Sequence, residues 1–191
     1  MYKLCKTEQS ACRQQELEAG LLEMMQKKHY DQISVSDLCN ELKIPRKAFY
    51  RYFSGKDGAL HGLIDHAIMD FDIFSGADIA DPDLQPYQYM EQVFTYWIQN
   101  QALLSALARS GLSGVLVQRA VDYTRRMNRL PMLLTNMDRQ LKEYGNLFAV
   151  CGIMTIIVQW HQDGFVPDAK QMAHMALRLF REPLYRPHEN G

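Results

Sequence analysis

Residues 34–60 read SVSDLCNELKIPRKAFYRYFSGKDGAL, and this stretch decides the fold. Every charged side chain between Glu41 and Asp57 is basic. These bases are Lys43, Arg46, Lys47, Arg51 and Lys56. Aromatic side chains are interleaved with them or follow directly, namely Phe49, Tyr50, Tyr52 and Phe53. A basic run with this composition indicates a local contact with a polyanion.

The same stretch predicts two short helices joined by a tight turn. Ser34 and Asp37 have the spacing of a capping box, which favours a helix over 35–42. Pro45 ends that helix and suits the first turn of another, predicted over 46–52. A longer apolar-striped helix over 9–28 precedes the pair, and these three helices form a helix-turn-helix unit. Ser54-Gly55 closes the unit, and a fourth helix is expected over 57–71.

A short helix with several bases fits the major groove of DNA, which admits one α-helix. Arg46 and Lys47 can donate to guanine edges or to phosphates, and the hydroxyls of Tyr50 and Tyr52 can reach phosphate oxygens. The alternative is that these bases are an ordinary solvated helix face. The coincidence of the basic run with the turn unit favours DNA.

The remainder of the chain also has helical periodicity. Helices are predicted over 87–107, over 117–128, from Pro131 through Tyr144, over 147–162 and over 168–181. Residues 72–86, rich in Asp, Gly and Pro, are expected to be a loop. The predicted fold class is therefore all-α, with a helix-turn-helix domain over 1–60 and a second helical domain over 61–191.

Composition limits the function classes. Of 191 residues 47% are apolar and 23% charged, as in soluble globular proteins. Residues 1–60 carry ten bases and eight acids, a net charge of +2. Residues 61–191 carry eleven bases and fourteen acids, a net charge of −3. The four cysteines form no CxxC pair, and the N-terminus lacks a signal-peptide core. A reduced, cytoplasmic protein is expected.

Membrane, metal and enzymatic interpretations are not favoured. The apolar run 147–158 has twelve residues, whereas spanning takes about 20, so a buried helix is preferred to a membrane span. His61, Asp65 and His66 lie close on one helix, but His66 is turned away from the other two, so no metal site is predicted. No phosphate-binding loop or catalytic triad motif is present, and we expect neither an enzyme nor a cofactor.

Residues 17–63 resemble the DNA-binding domain of the TetR/AcrR family of bacterial transcription regulators. The resemblance is carried by residues 30–44 and most strongly by FYRYF at 49–53 with SGKDGAL at 54–60. Two segments depart from the family pattern. Leu42-Lys43-Ile44 stands where the family usually has Ala-Gly-Val, and 45–48 reads PRKA where it usually has Ser-Lys-Gly-Thr.

The resemblance implies double-stranded operator DNA, of palindromic sequence, as a partner. It implies phosphate contacts by Ser34, Tyr50 and Lys56, and base contacts by Arg46 and Lys47, with Arg51 as a further candidate. The full predicted DNA-binding set is Ser34, Ser36, Pro45, Arg46, Lys47, Tyr50, Arg51, Tyr52 and Lys56.

In this family the second domain binds a small-molecule effector and forms a homodimer. Residues 94–100 and 158–164 resemble the subset that includes regulators of dihydroxyacetone-kinase operons. The predicted effector-binding residues, of mixed polarity on apolar helix faces, are Trp97, Asn100, Tyr123 and Met127. The predicted dimer interface consists of Cys151, Met154, Val158, His161, Met172, Met175 and Leu179.

These features predict a homodimeric DNA-binding transcription regulator, a repressor released by its effector. The alternative is a helical interaction protein that no longer reads DNA and acts by pairing with another regulator. The concentration of bases in 43–56 argues against that alternative.

Overall fold

A computed structural model of the protein describes residues 2, 3, 5, 7–75, 86–127 and 138–182. These residues form nine α-helices and one 3-10 turn, Tyr30–Gln32. The helices are α1 (Glu8–Lys27), α2 (Val35–Glu41), α3 (Arg46–Phe49), α4 (Lys56–Ser75), α5 (Pro86–Gln99), α6 (Gln101–Arg109), α7 (Ser113–Met127), α8 (Arg139–Gln162) and α9 (Ala169–Arg181). Within the described residues, β-type pairing is limited to an isolated bridge between Tyr2 and Phe53, so the all-α prediction is confirmed.

Side-chain caps define the starts of several helices. The Ser34 side chain accepts from the Asp37 amide, and the Asp37 side chain accepts from the Ser34 amide, which is the predicted capping box. Asp168 and Gln171 form an equivalent box at the start of α9. Such reciprocal bonds satisfy amide groups that the first helical turn leaves without partners.

The turn between α2 and α3 contains a backbone conformation that is unusual for a side-chain-bearing residue. Lys43 has a φ of 51°, in the left-handed region where glycine is favoured. Its amide donates to Asn40 O at 3.2 Å, and the Ile44 amide donates to Cys39 O at 2.9 Å. These bonds close the turn, while the left-handed conformation itself costs about 1 kcal/mol.

The predicted helix over 87–107 is wrong, because the structure has two helices there. Asn100, with φ −97° and ψ 21°, separates α5 from α6. Its side-chain amide donates to Tyr96 O at 3.0 Å. Such a local bond gives the backbone an alternative to the regular helical ladder.

The predicted boundary between 144 and 147 is also wrong. A single helix, α8, runs from Arg139 to Gln162, and Asp138 caps it by accepting from the Leu141 amide. Helix α4 continues to Ser75, four residues beyond its predicted end. The predicted start of a helix at Pro131, and the remainder of the predicted loop over 76–85, lie outside the described residues.

Apolar side chains from both predicted domains form one buried cluster. Helix α4 packs against α1 in the N-terminal part and against α5 and α7 in the C-terminal part. Helix α6 also packs against α1. The boundary predicted between residues 60 and 61 therefore falls inside α4, a continuous helix that connects the two parts.

Candidate nucleic-acid interface

Helix α3 is oriented by two aromatic side chains that face inward. Phe49 and Phe53 are fully buried, and their ring centroids lie 5.2 Å apart. Arg46, Lys47 and Arg51 lie on the outside and are exposed. The apolar spacing thus fixes one face of this short segment in the core and presents the basic face to solvent.

Tyr50 and Arg46 form a pair on the exposed face of α3. An Arg46 guanidinium N–H donates to the Tyr50 hydroxyl at 3.3 Å, and the guanidinium carbon lies 5.9 Å from the ring centroid. The two residues are four apart and therefore adjacent on the helix surface. This contact restricts the rotamers of Arg46 while leaving its remaining N–H groups available to a ligand.

No ion pair neutralises the bases of this surface within the described part of the chain. The salt bridges recorded there involve none of Lys43, Arg46, Lys47 and Arg51. Exposed bases without acidic neighbours create a positive local potential that attracts phosphates.

The predicted residues at the helix starts have structural roles. The Ser34 hydroxyl donates to Asp37 Oδ2 at 2.6 Å, and this bond lowers the pKa of the Asp37 carboxyl. Ser36 is half-buried within α2, and Pro45 is the extended residue that precedes α3. Ser34 is therefore already engaged as a cap, although its side chain remains exposed at the surface.

Lys56 differs from the other predicted bases because its ammonium group has partners inside the protein. Nζ donates to Tyr30 O at 2.7 Å and lies 4.0 Å from the centroid of the Tyr30 ring. Its side chain is half-buried. The structure thus assigns Lys56 a contact between α4 and the 3-10 turn, which the sequence prediction of a phosphate contact did not include.

Tyr30 joins three parts of the molecule through its polar atoms. Besides accepting from Lys56, its hydroxyl donates to Asp57 Oδ1 at 2.6 Å, and its amide donates to Ser110 Oγ at 3.1 Å. Burial, followed by the bond to Asp57, raises the pKa of Tyr30 well above its usual range. Ser110 follows α6, so this residue links the second part of the chain to the start of α4.

A buried charged cluster lies behind the helix-turn-helix unit. Asp65 of α4 is fully buried and accepts two hydrogen bonds from Arg119 of α7, while an Arg126 nitrogen lies 3.6 Å away. The Tyr2 hydroxyl donates to the same carboxylate at 2.8 Å. Burial, the bond to Asp65 and its charge raise the pKa of Tyr2 to about 12.

His66 does not contact the Asp65 cluster through a hydrogen bond but pairs with a different carboxylate among the described residues. Its Nδ1 lies 2.6 Å from Oε2 of Glu18, a buried carboxylate of α1 that also accepts from Gln14. The bond to Glu18 raises the pKa of the His66 imidazole. Sequence reasoning did not identify Glu18 or Arg119, because both partners come from distant helices.

The N-terminal helices are those of a known domain. Residues 19–61 match the model of the family described as bacterial regulatory proteins, tetR family. The chain carries a TetR-family domain. None of the curated protein sequences compared with the chain matches it significantly.

Solved structures similar to this one extend over both parts of the chain. The fatty acid degradation regulator FadR from Bacillus halodurans has a TM-score of 0.59 and 10% identity, over 96% of this chain and 100% of that one. The dihydroxyacetone kinase operon activator DhaS has a TM-score of 0.53 and 18% identity, over 88% of this chain and 93% of that one. A tetR-family transcriptional regulator from Streptomyces coelicolor has a TM-score of 0.53 and 18% identity, over 88% of this chain and 78% of that one.

At these identities the likeness concerns the fold. It confirms that the chain has the fold of TetR-family transcription regulators, and that dihydroxyacetone-kinase-operon regulators share it.

The predicted effector-binding residues do not form one described pocket. Trp97 is buried, with its ring 5.6 Å from that of Tyr96, and belongs to the core. Asn100 uses its amide for the α5–α6 junction. Tyr123 is half-buried on α7, and the side chain of Met127 lies outside the described residues.

Two other polar side chains in the second part of the chain each have a buried oxygen without a hydrogen-bond partner. These are Gln92 of α5, through Oε1, and Asn146 of α8, through Oδ1, among the side chains that the structure describes. Asn146 is only 7% exposed. An unsatisfied buried oxygen is costly, and a hydrogen-bond donor of a bound molecule would satisfy it.

The predicted dimer residues differ in their exposure. Cys151, Met175 and Leu179 are exposed, and Val158 is partly so. Met154 and Met172 are buried in the chain's own core, so they contribute little to a surface. His161 is half-buried and bonds Ser105 Oγ of α6 at 2.8 Å.

Helix α8 exposes apolar side chains that the prediction omitted. Leu141, Tyr144 and Phe148 lie on one face and are 53%, 64% and 63% exposed. Their spacing of three and four residues is the signal that could have identified them. Cys151, three residues beyond Phe148, continues the face.

Helix α8 is also long and apolar enough to cross a membrane over Gln140–Gln162, by length and composition alone. One such helix is weak support for a membrane, because core and interface helices meet the same criterion. Within the chain, 28% of its most apolar stretch is buried, so one chain does not cover this helix on all sides.

Proposed function

We propose that the protein is a homodimeric transcriptional repressor that binds palindromic operator DNA in the cytoplasm and is released by a small molecule. The observation that carries the proposal is the exposed face of α3 in a TetR-family domain, where Arg46, Lys47 and Arg51 lie outside any recorded ion pair. A major groove of B-DNA admits one α-helix such as α3.

The DNA-binding residues differ in their proposed roles. Arg46 and Lys47, at the start of α3, contact base edges, and the contact with Tyr50 holds Arg46 in position. Arg51 and the hydroxyls of Tyr50 and Tyr52 contact phosphates. The Ser34 hydroxyl donates to Asp37, so it reaches a phosphate only by giving up that bond. Ser36 and Pro45 position the ends of the two helices. Lys56 reaches phosphate only by leaving Tyr30, so its contribution is smaller than that of Arg51.

Dimerisation is proposed through α8 and α9. Burial of the exposed side chains of Leu141, Tyr144 and Phe148, with Met175 and Leu179 of α9, stabilises association by roughly 1.5–3 kcal/mol for each fully buried side chain. Two copies of this helix pair form a four-helix interface. A dimer places two α3 helices on successive major grooves, which explains why one short reading helix suffices in each chain.

An effector site is proposed in the second part of the chain, where the oxygens of Asn146 and Gln92 lack donors. Helix α4 packs against α5 and α7 and begins directly after the helix-turn-helix unit. A ligand that shifts α4 therefore changes the separation of the two α3 helices in the dimer.

The test is selection of bound fragments from the whole genome, followed by affinity measurements over a salt series. We expect a specific palindromic site, with binding that falls steeply as salt increases. The variant Arg46→Ala/Lys47→Ala should lose site preference by about 1–3 kcal/mol for each base contact removed. The control Arg125→Ala/Lys170→Ala removes the same charge outside the domain and should retain site preference.

If no genomic fragment binds more tightly than random DNA, the proposal is wrong. Co-purification of a different regulator would then support the helical interaction protein.

A further inference from the structure

Residues 2 and 3 are bonded to the backbone just beyond α3, the helix proposed to contact DNA bases. The Lys3 amide donates to Tyr52 O at 2.9 Å, and Tyr2 pairs with Phe53 in the isolated bridge. Farther along, the Cys5 thiol donates to Gln14 Oε1 at 2.8 Å. The contacts of residues 2 and 3 are therefore with the connection between α3 and α4, whereas that of Cys5 is with α1.

Side-chain alternation gives the consecutive residues Tyr2 and Lys3 different environments. In extended backbone, successive side chains point to opposite sides. Tyr2 is half-buried, bonded to Asp65 and packed edge-on against His66 with ring centroids 5.7 Å apart. Lys3 is exposed. Tyr2 thus anchors the backbone, and the exposed Lys3 side chain projects into solvent from a residue whose amide is bonded to Tyr52 O.

Lys3 places a positive charge close to the connection between α3 and α4, where the ammonium group of Lys56 is already bonded within the protein. Lys56, which follows the same connection, has its ammonium group bonded to Tyr30. Lys3 forms no recorded ion pair with any described residue, and its backbone is fixed to Tyr52, a member of the proposed phosphate-contacting set. A cation on a fixed backbone loses less conformational freedom on binding than one on a free tail.

We propose that Lys3 is a further DNA-binding residue, which contacts a backbone phosphate flanking the groove occupied by α3. Tyr2 is its positioning residue, because the bond to Asp65 holds the segment in place. This inference rests on the proposed function, since it assigns one more contact to the same DNA surface. A contact of this type strengthens binding to all sequences and carries no base preference.

The experiment compares full-length wild type with Lys3→Ala, Lys3→Arg and the distant control Lys170→Ala, on the selected site and on a scrambled site. Lys3→Ala should reduce the salt slope of log K by about 0.9 for each protomer and weaken both sites to the same extent. Lys3→Arg should restore the slope. Thermal unfolding should be unchanged, because the side chain is exposed.

A Lys3→Ala slope equal to that of wild type and of Lys170→Ala would overturn the inference, as would a loss confined to the selected site. Absence of specific binding by the wild type itself would instead count against the proposed function. The two failures are therefore distinguishable.

Discussion

Asp65 of α4 and Arg119 of α7 form a buried ion pair, in which Arg119 Nε donates to Asp65 Oδ1 at 2.7 Å and a second guanidinium N–H donates to Oδ2. The pair joins α4, which directly follows the helix-turn-helix unit, to α7 in the second part of the chain. Its carboxylate also holds Tyr2, so one buried charge connects three segments.

Removal of one partner of this pair should destabilise the protein strongly. Arg119→Ala leaves the Asp65 carboxylate buried with one weaker cation, Arg126, at 3.6 Å, and we expect a loss of about 3 kcal/mol in unfolding free energy. The measurement is urea denaturation. Asp122→Ala removes a more exposed partner of the same arginine, at 3.9 Å, and should cost less than about 1 kcal/mol. Equal losses for the two variants would refute this reading of the pair.

The pair of His66 and Glu18 should make stability depend on pH. Because the folded pKa of His66 is raised, its contribution is complete below the unfolded value near 6.5 and is lost as pH rises through the folded pKa. The groups around the ring are Glu18, Asp65, Asp70 and Tyr2. The difference in unfolding free energy between wild type and His66→Gln should therefore decrease with rising pH.

His61 provides a matched comparison of opposite sign. Burial, followed by the charge of Arg119, lowers its pKa. The difference between wild type and His61→Gln should therefore increase with pH as the unfolded state releases its proton. Parallel pH profiles for His61→Gln and His66→Gln would show that the assigned proton linkage is incorrect.

Ser34 and Asp168 cap two helices in the same manner but at different distances from the proposed DNA surface. Replacement of either by alanine should cost about 1 kcal/mol in unfolding free energy. Ser34→Ala should additionally weaken DNA binding, because the start of α2 lies at the interface. Asp168→Ala should bind DNA as wild type does, at a temperature where both variants are folded. Equal DNA affinities for the two would remove Ser34 from the proposed contacts.

Phe148 tests the proposed dimer. Phe148→Asp places a charge in the middle of the exposed α8 face and should convert the dimer to monomer in sedimentation equilibrium, since an unpaired buried charge is expensive. Met69→Asp, at a partly exposed position on α4, is the control and should remain dimeric. A dimer with undiminished affinity in Phe148→Asp would place the interface elsewhere.

Asn146 tests the proposed effector site. Asn146→Leu removes an oxygen that lacks a partner and should raise the unfolding free energy by about 1 kcal/mol without effector. The same variant should lose the release from DNA that an effector causes in wild type, once screening of small molecules has identified one. A less stable Asn146→Leu would indicate that a bound water or another group already satisfies this side chain.

Local chemistry explains which elements could be predicted. The capping boxes at Ser34 and Asp168 depend on residues three positions apart, so the sequence contains all the information needed. The end of α8 is equally local, because Gly164 follows it with a φ of 72°, a conformation that favours glycine. The break at Asn100 between α5 and α6 was not predicted, because a single polar residue within a periodic apolar pattern is a weak signal.

Contacts between distant helices explain the remainder. Nothing near Lys56 in sequence indicates that Tyr30 would bind its ammonium group, and Asp65 gives no sign of Arg119. The helical periodicity was also insufficient to predict the dimer interface. Met154 and Met172 lie on apolar helix faces, as predicted, but those faces are buried in the chain's own core. Only packing distinguishes an inner apolar face from an outer one.

Lys43 occupies the turn position where the resembling family usually has glycine, and it adopts the left-handed backbone conformation regardless. A cost of about 1 kcal/mol is small enough for a well-packed domain to absorb. Geometry, rather than the identity of the residue, is thus what this turn preserves. A sequence pattern that demands glycine there would pass over proteins of this fold whose reading surface has gained a positive charge in exchange for backbone strain.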